Sequence, residues 1–163
     1  MSKFKEFIIA PEIGISEPAI NAAEIFAKQI AGKVHYDPMS AVQLRKFFGE
    51  IKKLSAKGKA KHAISESSSD SENKTAQDAA RWATISSDFY MLKAHLAYAN
   101  GRDRKKKDGH MINKTHLGTF YTEIYPLINR EVVNDIRTFK KFVQLMEAIV
   151  AYHKVHYDEP TAA

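Results

Sequence analysis

Seven glycines and five prolines are all that interrupt a chain of 163 residues, and the long intervals between them carry apolar residues at helical period. Apolar positions recurring every three to four residues bury one stripe of a helix, whereas a half-buried strand needs strict alternation. No stretch alternates in that way, and no internal repeat is visible. The chain is therefore expected to be all-α, a single bundle-like domain over residues 1–163 built of five helices. A chain of this length has room for a core of its own.

Local signals place those helices. Ser16-Glu17-Pro18 combines an N-cap with an early-turn proline, so the first helix should run from about residue 16 to 31, ahead of Gly32. Asp37-Pro38 marks a turn. Ser40-Ala41-Val42-Gln43 reads as a capping box, with Met39 placed to staple against Leu44. The second helix then extends to about residue 57 with Leu44, Phe47, Phe48, Ile51 and Leu54 inward. The third spans about 75–100, with Trp82, Ile85, Phe89, Leu92 and Leu96 as its seam and Gly101 as its C-terminal cap. Met91, Ala94, Ala97 and Tyr98 make its other sides apolar too, so it is either central in the bundle or covered by a partner. A shorter helix covers about 116–128, and the last runs from about 131 to 157 with Ile136, Phe139, Val143, Met146 and Val150 inward.

Between the second and third helices the composition changes. Residues 58–74 include Ser65-Glu66-Ser67-Ser68-Ser69-Asp70-Ser71-Glu72, too poor in apolar surface to offset the entropy of ordering it. This segment is expected to be a flexible, disordered Ser/Glu-rich connection.

The absence of cysteine removes disulfides, thiolate zinc sites and cysteine nucleophiles. No apolar run approaches the length of a membrane span or signal core, so a cytoplasmic protein without membrane association is expected. Lys and Arg outnumber Asp and Glu by 25 to 19, which suits an anionic partner, nucleic acid before membrane.

The chemistry a helical wheel exposes is basic. On the second helix Arg45, Gly49, Lys52 and Ala56 share one flank. Glycine inside a helix costs about 1 kcal/mol relative to alanine. Its use here is either the close approach of a phosphate chain between two cations or a tight helix–helix contact. Lys46, Lys53 and Lys57 lie opposite the core. Arg137, Lys141, Ala148 and Tyr152 face away from the core on the last helix, and Lys154 sits at the rim of its apolar stripe. Arg102-Asp103-Arg104-Lys105-Lys106-Lys107-Asp108 reads as a basic loop, suited to phosphate contact or to simple solvation.

Catalytic patterns are sparse. Arg104 and His110 match the loose Arg-x(4–6)-His spacing of helical HEPN-type ribonucleases, whose arginine and histidine act at the cleaved phosphate; this is the alternative reading. His153 and His156 share a helix face but have no third ligand at fixed spacing, and read as ordinary surface histidines. No nucleophile elbow, phosphate loop or paired-carboxylate motif is present, and neither metal nor cofactor is expected.

Three segments carry a resemblance: Val42-Gln43-Leu44-Arg45-Lys46-Phe47-Phe48; Leu92-Lys93-Ala94-His95-Leu96-Ala97-Tyr98-Ala99-Asn100-Gly101-Arg102; and Phe142 through Glu147-Ala148-Ile149-Val150-Ala151-Tyr152-His153-Lys154. In this order, on a basic helical chain of this size, the sequence resembles the small subunit of the type III-A CRISPR–Cas effector, the Csm complex. It departs from the family at Phe48-Gly49, where Tyr-Asn is frequent, and the first 35 residues match nothing diagnostic. The resemblance implies a non-catalytic subunit that stacks in several copies beside the backbone subunits and lines the channel holding guide and target RNA. By position it makes Arg45, Lys93, Arg102 and Lys154 candidates for RNA contact, to which the wheel adds Lys52 and Lys53.

Overall fold

The computed structural model describes residues 2–60 and 71–157. Its elements in chain order are α1 (Lys5–Ile9), α2 (Glu17–Ala31), α3 (Ala41–Ala60), α4 (Ser71–Arg102), β1 (Arg104–Lys107), β2 (His110–Asn113), α5 (Leu117–Ile124) continued by a 3-10 turn (Tyr125–Leu127), and α6 (Ile136–His156). Among the described residues the fold is all-α apart from one short antiparallel hairpin, β1–β2.

The helix starts follow their caps. Ser16 Oγ accepts from the Ala19 amide at 3.3 Å, with Pro18 in the first turn of α2. Ser40 and Gln43 form the reciprocal box that opens α3, at 3.0 and 3.1 Å. α6 begins later than periodicity alone suggests. Asp135 takes the Thr138 amide at 2.7 Å and Thr138 Oγ1 reaches back to the Asp135 amide, so residues 131–135 lie outside the helix.

The core is one cluster, with Phe89 at its aromatic centre. Its ring meets Phe139 and Phe142 edge-on at 5.7 and 5.3 Å, and Trp82 lies 5.7 Å away. The α3 stripe is buried as expected at Leu44, Phe47, Ile51 and Leu54 and half-buried at Phe48; the α4 seam is buried at Ile85, Phe89, Leu92 and Leu96 and half-buried at Trp82. Met91 and Tyr98 are 50% and 69% exposed, so α4 is not wrapped by the bundle on all sides.

Four further expectations are corrected. The inward face of α6 includes Phe142, Leu145, Ile149 and His153, while Val143 and Val150 are only half-buried, because both α2 and α3 pack on this helix. Gly101 lies inside α4 and does not cap it. Of the connection expected at 58–74, residues 58–60 are the end of α3 and 71–74 the start of α4, and 61–70 lie outside the described residues. Tertiary packing extends α3: Gly58 is buried against Ile85, and Arg81 Nε donates to the Gly58 carbonyl at 3.2 Å.

The fourth correction concerns Lys141, which is buried, and Arg137, which is half-buried. Lys141 is 1% exposed and donates to the Ala10 carbonyl at 2.7 Å. Arg137 donates to the same carbonyl at 2.7 Å and to that of Glu12 at 3.4 Å. These two cations fasten the segment after α1 across α6. Phe4 and Ile8, both fully buried, seat α1 itself, with Phe4 edge-on to Phe26 at 5.3 Å.

Candidate nucleic-acid interface

The solvent-facing side of α3 is basic. On a 100° wheel Arg45, Gly49 and Lys52 form one edge of that side and Lys46, Lys53 and Lys57 the other, all of them away from the buried stripe. Arg45, Lys52 and Lys53 are all exposed. Lys52 lies 5.5 Å from the Phe48 ring centroid, a cation–π contact that directs its stem along the helix. A Cβ built at Gly49 would meet no heavy atom within 4 Å, so no helix among the described residues packs tightly there. The glycine leaves an open notch between Arg45 and Lys52.

The end of α6 joins this edge. His153 is buried and hydrogen-bonds the Met39 carbonyl at 2.7 Å, drawing the last turn of α6 against the start of α3. Burial pushes the His153 pKa down and the nearby Arg45 charge lowers it further, against the hydrogen bond to Met39, which raises it. Lys154, the next residue, is exposed, beside the His153 that the Arg45 charge acts on. The histidine pair expected on the surface is thus divided: His153 is internal, and His156 faces Glu24 at 3.7 Å. No group of three or more His, Asp or Glu among the described residues is arranged to hold a metal ion.

Lys93 and Arg102 stand apart from that edge. Lys93 is half-buried with its ammonium 4.9 Å from the Tyr125 ring centroid, against the 3-10 turn. Arg102 ends α4 with its guanidinium 5.8 Å from the Tyr98 ring centroid. The six candidates therefore form three groups: Arg45, Lys52, Lys53 and Lys154 around α3, Arg102 at the end of α4, and Lys93 over Tyr125.

The stretch read as a basic loop is the β1–β2 hairpin. Asp108 and Gly109 both have positive φ, 51° and 80°, the requirement of a two-residue type I′ turn. Asp108-Gly109 is a sequence signal for this turn, and it stands in the basic run. Arg104 pairs with Asn113 and Lys107 with His110. Side chains alternate along a strand, so Arg104 and His110 project from opposite faces, three register steps or about 10 Å apart. The hairpin does not bring this pair onto a common phosphate.

A buried carboxylate anchors the hairpin, and charge patterning gives no hint of it. Asp103, 6% exposed, accepts from the Thr115 amide at 3.1 Å, from Thr115 Oγ1 at 3.0 Å and from Asn113 Nδ2 at 3.2 Å. Asn113 Nδ2 also donates to Asn100 Oδ1 at 2.8 Å. Gly118 is required beneath it, since a Cβ there would come 2.5 Å from Asn113 Cγ. Thr115 then bridges to Asp37, and His116 hydrogen-bonds the Val34 carbonyl at 2.9 Å. Burial lowers the His116 pKa, opposed by that hydrogen bond and helped by the neighbouring His35. The exposed cations of β1, Arg104 to Lys107, are thereby carried on a rigid base.

No helix among the described residues is long and apolar enough to cross a membrane. No curated protein and no solved structure matches the chain significantly. The Csm2 Type III-A family model matches residues 17–159, from the first residue of α2 to just beyond α6, leaving α1 outside the match. With nearly its whole length matched, the chain belongs to the Csm2 Type III-A family, the small subunit of type III-A CRISPR complexes.

Proposed function

We propose that this subunit is a non-catalytic, cytoplasmic component of the effector. It lines the channel for guide and target RNA, packs against the backbone subunits and stacks against further copies of itself. The observation that carries the RNA reading is the α3 edge: Arg45 and Lys52 are exposed on either side of a glycine with open space above it. A phosphate backbone laid along this edge meets two cations without a Cβ between them. Lys53, Lys93, Arg102 and Lys154 supply further contacts. Such contacts position a duplex without reading its bases, which is what a subunit serving any guide requires. The exposed Met91 on α4 suits a neighbouring subunit, a source of cover the bundle itself does not provide.

The test is the salt dependence of RNA binding by the assembled complex. Arg45→Glu combined with Lys52→Glu should weaken binding equally for unrelated sequences, and each lost contact should flatten the salt slope by about one unit. A slope identical to that of the parent removes these residues from the interface. Metal-independent cleavage of RNA by the purified chain, abolished by His110→Ala, would instead favour the ribonuclease reading.

A further inference from the structure

Between α3, the end of α4 and the base of the hairpin lies an open groove of about 590 Å³, within the range that holds small ligands. Its floor is apolar: Met39, Phe47, Leu96 and Leu117 line it, and each is at least nine-tenths buried. Its rim is cationic, formed by Lys46, Arg102 and Lys114, all exposed. Tyr98 stands at the mouth, 69% exposed, with the Arg102 guanidinium held against its ring.

Two carboxylates also border the groove, and they bear on what it can take. Asp103 is buried and occupied by Thr115 and Asn113. Glu50 pairs with His95, Oε2 to Nδ1 at 3.1 Å, leaving its other oxygen as an acceptor at the wall. The groove therefore combines an apolar slot, an exposed aromatic ring, one acceptor inside and three cations at the edge. An apolar peptide side chain would use the slot and leave the cations idle. Phosphate alone would use the cations and leave the slot empty.

We propose that this groove binds a single nucleoside phosphate whose base carries an exocyclic amine, such as adenine. The base enters against the apolar floor and Tyr98, the amine donates to Glu50, and the phosphate meets Arg102, Lys46 and Lys114. Stacking on an aromatic ring and the planar fork of arginine on a phosphate are the recurrent means of holding an unstacked nucleotide. Where the nucleotide belongs to a bound RNA, the inference rests on the RNA-binding reading above; where it is free, it does not.

The experiment uses the full chain, titrated with AMP, UMP, ribose 5-phosphate and inorganic phosphate, then with a five-nucleotide oligoadenylate and a 20-base-pair RNA duplex. AMP should bind roughly tenfold more tightly than ribose 5-phosphate, the scale of one base stacked on an aromatic ring, and more tightly than UMP. Tyr98→Ala should abolish that advantage, Tyr98→Phe should restore it, and both should leave duplex binding unchanged. Tyr98 is exposed, so neither change threatens the fold. Oligoadenylate binding that depends on Tyr98 and exceeds that of AMP identifies an RNA strand as the source; AMP binding without duplex or oligonucleotide binding identifies a free nucleotide. Either supports the groove, and the channel reading is decided separately by the salt dependence of the assembled complex. Duplex binding with AMP no better than ribose 5-phosphate overturns the groove and leaves the channel reading standing.

Discussion

The N-terminal half of α6 and the β1–β2 hairpin are both rich in cations, yet they bury opposite charges. Under residues 10–12 the chain turns carbonyl oxygens inward, and Lys141 and Arg137 supply the donors. At the hairpin base the inward groups are an amide, a hydroxyl and a side-chain NH2, and Asp103 supplies the acceptor while the lysines point out. In each place the exposed backbone or side-chain polarity dictates the sign of the buried partner, because an unsatisfied buried polar group costs more than the hydrogen bond yields. A basic residue is thus no indicator of nucleic-acid contact until its own surroundings are known. By that criterion Lys141 and Arg137 belong to the frame, and Arg45, Lys52 and Lys154 remain available to a partner.

The comparison breaks most sharply at Asp103. Asp103→Ala leaves the Thr115 amide and hydroxyl without their acceptor, and should cost about 3 kcal/mol, the upper range for hydrogen bonds to a charged group. Denaturant unfolding measures the total, and hydrogen exchange should show protection lost first across residues 104–115. Full protection there would mean that the turn alone holds the hairpin. Lys141→Ala should cost less, about 2 kcal/mol, because Arg137 still serves the Ala10 carbonyl. RNA affinity per folded molecule should stay at the parent value. A selective loss of affinity would move Lys141 from the frame to the interface.

What the sequence discloses follows the range of the interactions. The starts of α2 and α3 are legible because their caps lie within three residues of each other, Ser16 with Ala19 and Ser40 with Gln43. The hairpin is legible in Asp108-Gly109, but four consecutive charged residues in β1 have no apolar alternation to reveal a strand. α1 is invisible to periodicity because five residues are barely one turn, and its place depends on Phe4 and Ile8 reaching a core assembled from distant helices. Lys141 was beyond reach for a related reason: its partner is a backbone carbonyl 131 residues away. The α3 edge could be drawn from the wheel alone. The groove could not, since it needs Lys46, Arg102 and Lys114 from three separate segments.

The two buried histidines among the described residues provide the finest test, because one stands at the far end of α6 and the other at the hairpin base, and each is tied to a distant carbonyl. His153 holds α6 to Met39 and His116 holds the hairpin base to Val34. Both have pKa values pushed below the ordinary 6.5, chiefly by burial. Protons then bind the unfolded chain more readily than the folded one, so stability is complete above about pH 6.5 and falls as pH drops below it. The loss can reach about 1.4 kcal/mol per pH unit for each histidine while the folded ring stays neutral. Unfolding titrations from pH 7.5 to 5 should show this slope, and it should roughly halve in His116→Gln if the two sites act independently. Arg45 distinguishes them further: Arg45→Ala removes a repelling charge from His153 alone, so its pKa followed by NMR should rise while that of His116 stays fixed. If both move together, the α3–α6 closure and the hairpin base are one coupled unit, and the division between the two regions fails at that joint.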